Sequence, residues 1–579
     1  MPPRSTRPRL ARAPLRPQTQ GSLEEWLRYF GVNTQDARLF SVWPPDLFAI
    51  AAAYLRRTGG YVGLIGRLQG LREKRHHGLA PAPEAVGQAW RNALREGLSR
   101  KFPKQSILIP SQIGEWWRIF VQQKSKSFDT SARDADVQAA AWNLCIAADV
   151  ACEGLGTRGA GKDLFLGVAH NVLVSNNLRS YCLSIPPEKL SVLGKRHTPQ
   201  RGCTIRSLSH HLALYSPSEI IARWHGPFGA ASDRLEVFNL LLLPWPTSVN
   251  ASDFQLVPSS GDVNERMHRF FRYRPSAPER PRAFGRKISR ALKSACVHAD
   301  RIHGIVFPEL ALDLGQFVAA ERVAIRNRAM LIAGVGVEPR DSPSKLPLNM
   351  CAIQPYGLSD APNDPEFRKP NRLSEQMRQT QYKHHQWCLD GSQIMQYELG
   401  ARLPASHECW EDIDIVERRV NFTTLSSWLT MCVLICEDLA RQDPVADVMR
   451  AVGPNLVVAL LMDGPQLRHR WAARYASVLA EDPGCSVLSL TSAGMSSRSK
   501  PREEPGAASV NKSRVIALWR DAFTGDREIA LEPGHDACVL SLVCRSKREY
   551  SLDGRSDDQS YYPVFAGAYS FDSQRGAAP

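Results

Sequence analysis

Three short motifs place a carboxylate, an amine and a thiol beside apolar stretches of the chain. Glu309 follows a Phe-Pro pair, Lys383 precedes two histidines, and Cys436 follows a Val-Leu-Ile run. A cysteine is a strong nucleophile once ionised, and an adjacent base can activate it. Each residue alone also has a structural explanation, as a helix cap, a solvated surface charge or an inert core thiol. Only the three together indicate catalysis at the ends of strands.

The elements that would position these residues form an alternating pattern. Short apolar runs predict strands, and stretches with helical spacing lie between several of them. The predicted strands are residues 235–246, 304–307, 330–337, 431–435, 455–461 and 486–490. Alternation of this kind is typical of an α/β domain, which we place at residues 229–548.

The preceding part of the chain, residues 23–228, reads as a mostly helical accessory domain. Asp134 and Asp136 open a helix whose apolar positions recur every three to four residues. A further short helix is predicted at 220–224. Residues 1–22 carry five arginines and five prolines without an acid, which predicts a disordered basic tail. Residues 549–579 are polar and are interpreted as a C-terminal tail.

Taken together, the motifs and strands resemble the nitrilase superfamily of carbon–nitrogen hydrolases over residues 233–545. Ile305-Val306-Phe307-Pro308-Glu309 is similar to the glutamate motif of that family, Lys383 with His385 to its lysine motif, and residues 433–438 to its cysteine turn. The resemblance implies an αββα sandwich, here preceded by the helical domain. It also implies that such sandwiches pack as a homodimer or a larger assembly.

The resemblance further implies a mechanism. Cys436 would attack an amide or nitrile, Glu309 would act as general base, and Lys383 would stabilise the oxyanion together with the backbone N–H of Glu437. The product would be a thioester that water hydrolyses to the acid. The chemistry requires no cofactor and no metal.

Many members of the family carry a second glutamate between the lysine and the cysteine. The candidates are Glu398, Glu408, Glu411 and Glu417. Glu398 lies at the most family-like distance after Lys383, and we expect it to be the second glutamate. The cysteine motif also departs from the family, because Glu437 replaces a frequent aromatic residue and Ala440 stands where an arginine is common.

The composition sets limits on other functions. The formal net charge of +15 permits contact with nucleic acid through phosphate attraction, but no nucleic-acid motif accompanies it. No apolar run approaches the roughly 18–20 residues of a membrane helix. The thirteen cysteines are scattered without a CxxC pair, which favours reduced thiols in a cytoplasmic protein over disulfides or a zinc site.

A second hypothesis belongs to another class of function. The domain could be a catalytically silent or regulatory scaffold that binds a protein partner through its helical N-terminal region. Nitrilase-like domains accompany reverse transcriptases in some bacterial antiviral defence systems, and this chain has no Tyr-x-Asp-Asp polymerase motif. It would then be an associated component of such a system. This hypothesis rests on analogy between families.

Overall fold

The computed structural model of the protein consists of two compact units. The first comprises residues up to 155 with 160–193 and 201–219, and the second comprises 156–159, 194–200 and 220–579. The described residues are 21–33, 42–62, 82–99, 108–156, 163–198, 202, 204–216, 220–226, 236–258, 268–276, 278–355, 372–441, 445–499 and 513–574. Most of the predicted tail at 1–22 lies outside them.

The first unit is built around one alanine-rich helix. Its helices are α1 (Leu23–Tyr29), α2 (Pro44–Thr58), α3 (Pro83–Ser99), α4 (Ser111–Val121), α5 (Phe128–Arg133), α6 (Ala135–Ala151) and α7 (Leu164–Ser175). Helix α6 packs against α2, α3 and α4, and its small side chains allow this close approach. Asp134 caps α6 by accepting hydrogen bonds from the N–H groups of Asp136 and Val137, which confirms the predicted helix start.

Near the end of α6, Asp149 is fully buried. Its Oδ2 accepts a hydrogen bond from the backbone N–H of His210 at 2.7 Å, and its Oδ1 accepts from His211 and Leu212, both at 2.9 Å. These donors precede or begin β2 (Leu212–Tyr215), which pairs with β1 (Ser191–Gly194). The carboxylate therefore fixes the entry to β2.

The second unit contains two seven-stranded sheets and a smaller four-stranded sheet. Its strands are β3 (Ile221–His225), β4 (Val237–Leu242), β5 (Phe254–Leu256), β6 (His268–Tyr273), β7 (Gly304–Leu312), β8 (Met330–Val337), β9 (Leu348–Gln354), β10 (Gln379–Tyr382), β11 (Cys388–Leu389), β12 (Glu408–Glu411), β13 (Arg419–Thr424), β14 (Thr430–Ile435), β15 (Leu456–Leu460), β16 (Ser486–Leu490), β17 (Val515–Asp521), β18 (Gly525–Ala530), β19 (Ala537–Tyr550) and β20 (Ser556–Phe571). Its helices are α8 (Pro281–Ala295), α9 (Leu314–Arg326), α10 (Arg372–Met377), α11 (Gly391–Gln396), α12 (Asp447–Val452), α13 (Trp471–Glu481) and α14 (Ala493–Arg498).

The two large sheets face each other. The first has the order β10-β9-β8-β7-β4-β19-β20, and the second has the order β18-β17-β16-β15-β14-β13-β3. Between them, the side-chain Nε2 of Gln381 donates to the carbonyl of Val433 at 2.7 Å. Helices α8 and α9 cover the first sheet, and α13 packs on β16 and β17. This arrangement confirms the predicted fold class, an αββα sandwich preceded in the chain by a mostly helical region.

Two predictions about element boundaries are wrong. The predicted short helix at 220–224 is strand β3, which pairs in parallel with β13. Buried and half-buried side chains alternate along this strand, and Ala222 and Trp224 are the buried ones. Burial therefore repeats every two residues, as in a strand, and not every 3.6 residues, as in a helix. The sandwich unit consequently begins near residue 220 and not at 229.

The predicted C-terminal tail at 549–579 is also corrected. Strand β20 pairs antiparallel with β19 along most of its length, from Ser556 opposite Tyr550 to Phe571 opposite Ala537. Pro563 does not break it because β20 is the last strand of its sheet, where a residue without an N–H is tolerated.

Candidate active site

Glu309 lies in an irregular part of β7. The pairing of β7 with β8 shifts register between Phe307 and Leu312, and Leu310 has a positive φ of 51°. A Cβ at Gly334 of β8 would lie 2.3 Å from the carbonyl oxygen of Pro308 and 2.5 Å from the Cα of Glu309. Only glycine permits this approach. The bulge thus directs a carboxylate into the interior, where Glu309 is 3 % exposed.

Lys383 follows β10 directly and is fully buried between two carboxylates. Its Nζ lies 2.8 Å from Glu309 Oε1 and 2.6 Å from Glu411 Oε2. Glu411 is the last residue of β12 in the four-stranded sheet and is also buried. The backbone N–H of Trp387 donates to Glu411 Oε2 at 3.1 Å. The lysine is therefore held by two opposite charges away from water.

Cys436 stands immediately after β14, at the start of a 3₁₀ turn that spans Cys436–Leu439. Its φ is +47°, in the left-handed region that a residue other than glycine seldom adopts. The free thiol is buried. Strained backbone at such a position is typical of residues whose side chain must point in one direction for chemistry.

Asp438 connects this turn to the segment that carries the lysine. Its carboxylate accepts a hydrogen bond from the backbone N–H of His384, with distances of 3.0 and 3.1 Å to its two oxygens. Its Oδ1 also lies 3.0 Å from Nδ1 of His385. The position of Lys383 and the position of Cys436 are therefore coupled through one buried side chain.

The buried charges act on each other strongly. Burial raises the pKa of the Cys436 thiol well above its usual range; the negative charge of Glu309 adds to the rise and Lys383 opposes it. Burial also raises the pKa of Glu309, against the opposing charge of Lys383. For Lys383, burial acts to lower the pKa, but Glu309 and Glu411 outweigh it and the pKa is raised. These shifts favour the charged form of Lys383 and the thiol form of Cys436.

The two oxygens of Glu309 have different surroundings. Oε1 accepts from Lys383 and, at 2.8 Å, from Nδ2 of Asn349, the second residue of β9. Oε2 is buried and has no hydrogen-bond partner among the described residues. A carboxylate oxygen without a donor is the more basic of the two, so Oε2 is the atom that can take a proton.

The structure thus brings Glu309 and Lys383 together, close enough to Cys436 for both charges to act on its thiol. The preferred second glutamate, Glu398, is corrected. Its side chain is exposed in the turn after α11, and the second carboxylate at Lys383 belongs to Glu411. The segment between lysine and cysteine is longer than in the family pattern, so spacing alone selected the wrong candidate.

The residues after the cysteine occupy a more open position. Oε2 of Glu437 lies 3.6 Å from Nη2 of Arg441, whose side chain is half exposed. The described residues hold no group of three or more metal-ligating side chains. In that same part of the chain, none of the helices has both the length and the apolar character needed to cross a membrane.

Comparison with known proteins gives remote structural similarity. Neither a family model nor a curated protein sequence matches the chain. Solved structures of the nitrilase superfamily match about half of it. Nit3 of Saccharomyces cerevisiae, a member of branch 10 of that superfamily, is 10 % identical over 53 % of this chain and 90 % of its own, with a TM-score of 0.31.

Two further structures have similar scores. XC1258 from Xanthomonas campestris, a CN-hydrolase superfamily protein, is 12 % identical over 53 % of this chain and 89 % of its own, with a TM-score of 0.29. An N-terminal amidase with a Gln-Val peptide is 12 % identical over 39 % of this chain and 48 % of its own, with a TM-score of 0.20.

Proposed function

We propose that this protein is a carbon–nitrogen hydrolase that cleaves an amide or nitrile through a thioester on Cys436. The observation that supports this function most directly is the buried cluster in which Lys383 lies between two carboxylates next to a cysteine in a left-handed conformation. Burying such charges is costly, and a purely structural role would be met by apolar residues at lower cost. Clusters of this kind are typical of functional sites.

In the proposed reaction, Oε2 of Glu309 takes the proton from the Cys436 thiol as sulfur attacks the substrate carbon. The attack breaks one C–N π bond of a nitrile, or the C=O π bond of an amide, and places negative charge on the nitrogen or the oxygen. Lys383 and the backbone N–H of Glu437 stabilise that charge. For an amide, Glu309 then returns the proton to the amine as the C–N bond breaks and the carbonyl forms again. For a nitrile, the proton goes to nitrogen to give a thioimidate, and water adds to this before ammonia leaves and the thioester forms. In the second half Glu309 takes a proton from the water that attacks the thioester and passes it to the sulfur of Cys436 as the C–S bond breaks.

Burial of the groups explains how the thiol avoids unwanted reactions. Because the pKa of Cys436 is raised, the resting thiol is not a thiolate and reacts slowly with electrophiles. Proton transfer to Glu309 creates the nucleophile only when a substrate carbon can accept the charge. Such activation during the reaction is the logic of a general base.

The test is a search for the acyl intermediate. The full chain is incubated with a mixed library of amides and nitriles, and its peptides are analysed by mass spectrometry. We expect an acyl adduct on Cys436 and release of ammonia, both abolished by Cys436→Ala. Cys432→Ala is the matched control, because Cys432 is another buried cysteine, in the strand that ends just before Cys436, and its loss is expected to leave both signals unchanged.

Ammonia release by Cys436→Ala at the wild-type rate would refute the proposed nucleophile. Absence of any adduct across the library would instead favour the silent or regulatory scaffold. The homodimer, the protein partner of the helical region, the cytoplasmic location and a role in antiviral defence stay predictions.

A further inference from the structure

Asn349 contacts the three charged residues of the buried cluster, which are Glu309, Lys383 and Glu411. Its Nδ2 lies 2.8 Å from Glu309 Oε1 and 2.8 Å from Glu411 Oε1. Its backbone carbonyl accepts a hydrogen bond from the N–H of Lys383 at 2.9 Å. The side chain is 1 % exposed. One residue therefore fixes the two carboxylates directly and the lysine through its main chain.

The charges in the cluster make this contact important. Two carboxylates face one lysine, so the ionised cluster carries a net charge of −1 in a buried place. Such an excess favours uptake of a proton by one carboxylate. An amide NH₂ can donate to both carboxylates and has no proton to give up, and its orientation is fixed because both neighbours accept. Both hydrogen bonds stabilise the ionised forms.

We propose that Asn349 is a positioning residue that holds the carboxylates of Glu309 and Glu411 in place, stabilises the ionised form of Glu309 and, by occupying Oε1 of Glu309, leaves Oε2 as the oxygen that receives the thiol proton. The role of Asn349 in catalysis rests on the proposed function. The effect of Asn349 on the ionisation of the cluster does not depend on that function, and this effect can be measured without a substrate.

Other titratable groups near the cluster have defined places. Lys383 faces both carboxylates, and Cys436 lies beside Glu309 and Lys383. Glu437 and Asp463 act on the cysteine, and Asp463 is paired with Arg470 at 2.7 Å. A substitution at position 349 removes none of these groups, and the hydrogen bonds it removes directly are those to Glu309 and Glu411.

The experiment compares Asn349→Leu with Asn455→Leu by urea unfolding of the full chain across pH. Asn455 is equally buried, and its Nδ2 also donates two hydrogen bonds. Its acceptors are the carbonyl oxygens of Trp428 and Tyr561, which do not titrate. The two variants lose the same kind of side chain and the same number of donated bonds, but only one loses donors to carboxylates.

Removing the Asn349 donor raises the folded-state pKa of Glu309 further above the unfolded value. The folded variant then binds more protons than the unfolded chain, so its stability falls as the pH rises above the range in which an unfolded glutamate titrates. We expect the folding equilibrium constant of Asn349→Leu, relative to that of Asn455→Leu, to fall by about tenfold over that rise for each unit of added pKa shift.

Parallel pH curves for the two variants would overturn the proposal. If either leucine variant does not fold, the pair Asn349→Thr and Asn455→Thr carries the same comparison with a smaller polar side chain. A pH-dependent loss in a chain that forms no thioester would support the role of Asn349 in ionisation and refute the proposed function. Thioester formation together with parallel pH curves would support the proposed function and refute the role of Asn349 in ionisation.

Discussion

Asp149 in the helical unit and Glu309 in the sandwich unit are both buried carboxylates, but their partners differ. Asp149 accepts hydrogen bonds from three successive backbone N–H groups, which cannot move without unfolding β2. Glu309 is bound by two side chains, Lys383 and Asn349, on one oxygen and has no partner among the described residues on the other.

The difference separates structural from chemical use of the same functional group. Backbone donors on both oxygens stabilise the ionised form and leave the carboxylate little capacity to accept a proton. Side-chain donors on one oxygen hold the group in place and leave the other oxygen basic. Burial alone therefore does not distinguish a structural carboxylate from one that can act as a general base; the proposed function relies on the distribution of donors over the two oxygens.

The largest effect is expected for Glu309→Gln. The amide keeps the shape and can still accept from Lys383 and Asn349, but it cannot take the thiol proton. Turnover and thioester formation should fall by about 10²- to 10⁴-fold, as measured by ammonia release and adduct mass spectrometry. Because burial disfavours the charge of Glu309, the free energy of unfolding should not decrease. Near-normal turnover of this variant would show that Glu309 is not the base.

A smaller and different effect is expected for Asp149→Asn. The side-chain amide places an NH₂ against backbone N–H donors and leaves at least one of them unsatisfied, at a cost of about 1–3 kcal/mol. Hydrogen exchange of His210, His211 and Leu212 should accelerate by about 5- to 150-fold. Exchange of β14 amides serves as the internal control. Unchanged protection at 210–212 would mean that the carboxylate does not hold this segment.

The smallest effect is expected for Glu398→Gln. Its side chain is exposed, so its loss of charge should change turnover by about twofold or less, as for surface substitutions that cost within ±0.5 kcal/mol. Glu411→Gln is the matched variant, because it removes a charged partner of Lys383 at 2.6 Å. A loss in Glu398→Gln equal to that in Glu411→Gln would reverse the assignment of the second glutamate.

The sequence predicts the parts of the site that are local. Glu309 lies in β7 and Cys436 directly follows β14, and the apolar runs of both strands are legible in the sequence. Lys383 follows β10, a Gln-Thr-Gln-Tyr strand with no such run. The α/β class follows from the same alternation. Local signals suffice to predict strands β7 and β14 because each consists mainly of consecutive apolar residues.

Glu411 could not be chosen in this way. It lies in a four-residue strand that pairs in parallel with β6, more than 130 residues earlier in the chain. Its position beside Lys383 depends on that distant pairing and not on its own surroundings. Asn349 was missed for a related reason: its hydrogen bonds reach residues from two other strands, and an asparagine within an apolar run carries no local sign of them.

The order of the site residues along the chain has a consequence for synthesis. Glu309, Asn349, Lys383 and Glu411 all precede Cys436. The ribosome therefore synthesises Glu309 and Lys383 before Cys436, and β14 can take its place between β13 and β15 only after β15 has also been made. Contacts this distant in sequence form late in folding. We therefore expect the left-handed turn at Cys436 to form only after the segments on both sides of it have left the ribosome.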